Sequence, residues 1–149
     1  MTIVRLPSWP EVLRGPWALR LRSGGTGVWL MRGEADAVPE LECRFLDSRA
    51  ARTTSGALEE LGEAFQLEVP LGAFADLPDA VAGDATIALL VLDADRLLSD
   101  EPEALASLVG ALRDASDRLA LHVIFQAREL TPDAEAVLTE FGVAEIAHA

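Results

Sequence analysis

Two nearly uninterrupted apolar runs, "TIALLVLD" (86–93) and "LALHVIFQ" (119–126), flank an amphipathic segment, "SDEPEALASLVGALRDA" (99–115). A run apolar at every position has no face to give to water, so each reads as a strand covered on both sides. The segment between them is long enough for a crossover helix. Strand, helix and strand in that order demand a parallel pairing and a right-handed connection. These three segments exclude all-helical and all-antiparallel folds.

The surroundings extend the pattern. "LECRFLD" (41–47) reads as a short strand, and "TTSGALEELGEAFQL" (53–67) as a helix with Thr54 or Ser55 as cap and Leu58, Leu61, Ala64 and Phe65 as its apolar stripe. Asp100 and Glu103 stand at capping-box spacing, with Pro102 in the tolerant first turn. Thr131-Pro132 opens a last helix that Gly142 stops, ahead of an expected edge strand at 143–147. In the first 40 residues, "WALRLRSGGTGVWLMR" (17–32) alternates, turns through glycines and returns as a β-hairpin would. The expectation is an α/β fold: three layers, a mostly parallel sheet of about three strands, and an N-terminal hairpin at 1–40. The main domain spans 41–127, and a C-terminal helix and edge strand span 128–149.

Charge narrows function. The chain holds 25 acids against 12 bases, and every base is arginine. Residues 1–52 carry 8 Arg and 6 acids, a net of +2, whereas residues 53–149 carry 4 Arg and 19 acids, a net of −15. Such a field repels nucleic acid and anionic membranes and attracts basic proteins. The absence of lysine removes Schiff-base chemistry and the phosphate-loop lysine. A single cysteine, Cys43, excludes an internal disulfide framework. With no apolar leader and no run near 18 apolar residues, a cytoplasmic soluble protein is expected.

Few residues carry chemistry. In "LLVLDADRLL" a buried strand ends in Asp93 and Asp95, at the carboxyl edge where ligands of open sheets bind. The string resembles the Asp-x-Asp motif of haloacid dehalogenase-type phosphatases and also a Walker B strand. It lacks the G-x-x-x-x-G-K-[ST] cradle, and reads first as acids ending a strand. That resemblance implies a small Mg²⁺-dependent phosphatase-like enzyme as the alternative function. His122 lies in an apolar strand and His148 at the C-terminus, so neither zinc spacing nor a nucleophile–base pair is present.

"LGAFADLPDAV" (71–81) places Asp76 and Asp79 around Pro78. Capping explains the local pattern, with Asp76 as N-cap and Leu77, Pro78 and Asp79 in the first turn. The order of elements over 41–127 resembles the barstar family of ribonuclease inhibitors, whose signature is aromatic-Gly-x-Asn-x-Asp followed by a second Asp. Leu71-Gly72-Ala73-Phe74-Ala75-Asp76 falls on that motif, Asp79 on the second acid, and Asp114 on a further binding carboxylate. Phe74 stands where the family has asparagine, and Pro70 or Leu71 where it has its leading aromatic. The resemblance implies an immunity protein without enzymatic activity or cofactor. Its partner would be a basic secreted ribonuclease, bound through Gly72, Phe74, Asp76, Asp79 and Asp114. Carboxylates would enter the nuclease's phosphate-binding cleft. A further alternative is a barstar-fold protein that binds a different partner.

Overall fold

A computed structural model describes residues 3–6, 28–31, 42–81, 87–118 and 121–148. Six strands form one sheet: β1 (Ile3–Leu6), β2 (Val28–Met31), β3 (Glu42–Asp47), β4 (Ile87–Leu92), β5 (Leu121–Gln126) and β6 (Ala144–His148). Their spatial order is β1-β6-β2-β5-β4-β3, and every pairing is parallel. Among the described residues four helices lie between β3 and β6: α1 (Thr54–Ala64), α2 (Leu77–Ala80), α3 (Leu105–Arg118) and α4 (Pro132–Glu140). The α/β class read from the two apolar runs is the one observed.

The connections β3→β4, β4→β5 and β5→β6 all step across the sheet in the same direction. Right-handed crossovers therefore put α1 to α4 on one face. Register then decides which side chains meet them. Val28, Leu89, Val123 and, two residues on, Leu30, Val91 and Phe125 align across three strands and join the helices in one core. The alternate residues Trp29, Met31, Ala88, Leu90 and Ile124 face the other way and are buried as well. The continuous apolar run of β4, and that of β5 apart from His122 and Gln126, thus follows from burial on both faces.

Helix ends are closed by side chains. Thr53 Oγ1 accepts from the Gly56 N–H at 3.1 Å, and Glu101 accepts from both the Thr54 N–H (3.0 Å) and its hydroxyl (3.1 Å). The cap of α1 is therefore Thr53, one residue before the two candidates read from sequence. Thr131 caps α4 through Ala134 as expected. The Asp100–Glu103 capping box does not form: Asp100 is turned to Arg52 at 3.0 Å, and a 3-10 turn, Pro102–Ala104, leads into α3. Gly142, at φ +68°, ends α4, and the Val143 N–H returns to the Leu138 carbonyl. Arg113 of α3 donates to the Phe141 carbonyl and ties the two helices together.

Three expectations are corrected. Among the described residues the sheet has six strands, of which the 41–127 segment supplies three neighbours, β3, β4 and β5. The second arm of the expected hairpin, Val28–Met31, has parallel partners on both edges, β5 and β6, so no edge is left for an antiparallel return. The first arm, 17–22, lies outside the described residues. Finally, β6 is an interior strand between β1 and β2, not an edge. Parts of both flanking segments are thus built into the same sheet as 41–127.

Candidate functional site

At the carboxyl edge of the sheet, β3 ends in Asp47, β4 runs into Asp93, and β5 ends in Gln126. The side-chain carbonyl of Gln126 accepts from the Asp93 N–H at 3.0 Å, holding Asp93 in a left-handed conformation, φ 53° and ψ 50°. Aspartate tolerates that region better than most residues. Arg49 lies between two carboxylates, 3.1 Å from Asp47 and 3.8 Å from Asp93. Its hydrogen bond pulls the Asp47 carboxyl below the usual carboxylate range, and Asp47 in turn raises the guanidinium. A guanidinium therefore stands beside Asp93, one of the two acids a phosphotransfer centre would use. Among the described residues no group of three or more His, Cys, Asp and Glu side chains is placed to hold a metal ion. His122 is a core residue, 1% exposed.

The acidic segment has a different character. Phe74–Asp76 forms a 3-10 turn that continues into α2, and both pack against α3. The turn is anchored from below by Phe74, Leu77 and Pro78, all buried. Asp76 Oδ2 accepts from the Ala73 N–H at 3.1 Å, so the carboxylate closes the 3-10 turn and makes no cap bond to α2. Asp76, Asp79 and Gly72 are exposed, and so is Asp114 on α3. The three candidate acids thus sit, solvent-facing, on elements that touch. Phe74 is the correction: at 6% exposure its ring belongs to the core and is not offered to a partner. The motif resemblance places Phe74 among the partner-binding residues; its 3-10 position turns it inward, with Leu77, toward α3.

Sequence reasoning missed a third feature. α1 carries a second stripe, Ser55, Leu58, Glu59, Gly62 and Glu63, turned away from its buried residues Ala57, Leu61 and Ala64. After α1, Gln66 takes φ 53° and the Leu67 N–H returns to the Gly62 carbonyl at 2.9 Å. That turn brings Leu67, Pro70 and Leu71 back beside the stripe and leaves a groove of about 720 Å³. The signal was Leu58 next to a glycine in mid-helix; folding Leu58 and Leu61 into one stripe hid it.

No protein-family model matches the chain, and no curated protein sequence does. Its fold is similar to chains in two solved Drosophila structures. One is from the structure of ORC bound to AT-rich DNA and Cdc6, with a TM-score of 0.58 and 12% identity over 94% of this chain. The other is from ORC bound to DNA, with a TM-score of 0.56 and 11% identity over 91% of this chain and 87% of that one. The chain spans 56% of the length of the first. At these identities the likeness is one of fold.

Proposed function

We propose that this chain is a protein-binding module that presents a rigid anionic face, Asp76, Asp79 and Asp114, to a basic partner protein. The observation that carries the reading is that the three carboxylates are exposed on contacting elements above a buried base of Phe74, Leu77 and Pro78. A face fixed before encounter loses little entropy on docking. The net charge of −13 adds long-range attraction to a cationic partner. The two similar folds come from structures of ORC bound to DNA and, in one case, also to the protein Cdc6. Of those two kinds of partner, a chain this acidic suits the protein, since DNA binding draws its affinity from cations laid on phosphates.

The narrower form of the proposal is the ribonuclease inhibitor implied by the barstar-like motif. A nuclease cleft built to hold RNA phosphate would accept Asp76, with Asp79 and Asp114 pairing at its rim. The test is inhibition of RNA cleavage across a set of basic secreted ribonucleases, followed by a salt titration. Asp76→Asn is expected to cost on the order of 2–5 kcal/mol against a cognate nuclease if the carboxylate is buried in the complex. If no nuclease is inhibited but a basic protein binds through these acids, only the broader form stands. Binding unchanged in the triple Asp→Asn variant overturns both.

A further inference from the structure

The groove along α1 is separate from the acid-bearing turn and calls for its own explanation. Its long wall runs along α1 from Ser55 to Glu63, roughly 12 Å at the helical rise of 1.5 Å per residue. That length matches about two turns of a second helix laid alongside. Leu58, Leu67 and Leu71 give it an apolar lining, and Glu59 and Glu63 are its charged members, both acidic and exposed. Among the described residues no cationic side chain lines it. Gly62 forms the floor: a Cβ built there meets nothing within 4 Å. A glycine inside a helix costs about 1 kcal/mol relative to alanine, and among the described residues no neighbour requires it. Val69, adjacent in sequence to the second wall, is 76% exposed.

We propose that this groove docks a cationic amphipathic helix from a partner protein, its apolar stripe lying over Gly62 between Leu58 and Leu67 and its basic residues pairing with Glu59 and Glu63. Helix-in-groove docking of this kind takes apolar anchors at i, i+3 or i+4 and i+7. A solvated anionic rim sets orientation and speeds encounter. The site does not depend on the Asp76 face, and a partner could engage either alone.

The probe is a fluorescent peptide with leucines at helical spacing and arginines elsewhere, with a control of the same composition in which the leucines are dispersed. Anisotropy titrations with the full chain are expected to favour the patterned peptide. Gly62→Leu, which fills the floor, is expected to weaken it by about tenfold, since a clash of that kind readily costs ~1.4 kcal/mol. The Glu59→Gln/Glu63→Gln double variant is expected to lose about three- to tenfold and much of its salt dependence. Amide shift perturbations in the unmodified chain should centre on residues 55–71 and do not rely on any variant folding. Equal affinity for the dispersed control, or no binding, overturns the proposal. So does a perturbation confined to Asp76, Asp79 and Asp114, or a groove occupied by a second copy of this chain. Those same shifts on the acids would leave the anionic-face reading intact.

Discussion

Asp76 has two tasks, and they can be separated. One carboxylate oxygen holds the Ala73 N–H, while the residue itself stays exposed. Asp76→Ala removes the acceptor and should destabilise the fold by about 0.5–2 kcal/mol, as loss of a side-chain cap does. Asp76→Asn keeps an acceptor and removes the charge, so its urea midpoint should stay near the parent while binding to a basic partner falls. Acid titration should expose two opposed contributions. Asp47, lowered by Arg49, binds fewer protons folded than unfolded, so its contribution is present above its unfolded pKa and lost as pH falls through the folded one. The pair is well exposed, 67% and 42%, so solvent screening keeps this contribution small. Glu60 is the reverse: burial, and then the charges of Glu63 and Asp47, raise it. Its contribution is present below its unfolded pKa and lost as pH rises through the folded value. Glu60→Gln should therefore stabilise slightly near neutral pH, by about 0.5 kcal/mol or less, while Asp47→Asn should flatten the acid limb; urea melts across pH measure both.

α1 shows what local sequence reveals about an element and what it hides. Its existence and helix-forming stripe were legible, because Leu58, Leu61, Ala64 and Phe65 recur at helical spacing; its end was not, since the helix read over 53–67 stops at Ala64. Its two glycines look alike in sequence and are opposite in structure. A Cβ on Gly56 would sit 2.6 Å from the Ala50 carbonyl oxygen, a backbone atom that cannot swing away. Gly56→Ala should cost about 1–3 kcal/mol through overcrowding. Gly62 has open space, so Gly62→Ala should stabilise by about 1 kcal/mol. Thermal melts of the two variants should move in opposite directions. The capping box at Asp100 and Glu103 was misread for a related reason. A spacing rule sees one helix, but Arg52 and Thr54, nearly fifty residues away, claim Asp100 and Glu101. The acidic turn was legible in its exposed carboxylates, whereas the burial of Phe74 depended on α3 packing beneath it.

At the scale of the whole molecule, β4, β5 and the helices between strands were readable because burial on both faces leaves a continuous apolar run. Strand order was not, since it is set by pairings between segments far apart in the chain. β2 is the sharpest case: four residues, Val28–Met31, after a glycine-rich stretch look like a hairpin's return arm, yet they hold the middle of the sheet between β6 and β5. The two readings predict different things on truncation. If residues 1–40 were an accessory hairpin, their removal would leave a cooperative domain with a modestly lower midpoint. With β2 central, removal strips both β5 and β6 of a parallel partner and opens the row of Leu30, Phe125 and Val91 in the core. Buried backbone groups left without partners cost about 1–3 kcal/mol each, and a domain of this size has only about 5–15 kcal/mol to lose. The chain lacking residues 1–40 should therefore show no cooperative thermal transition by calorimetry and weak dispersion of its amide resonances. A truncated chain that melts sharply would return β2 to the periphery, and the six-stranded order would have to be abandoned.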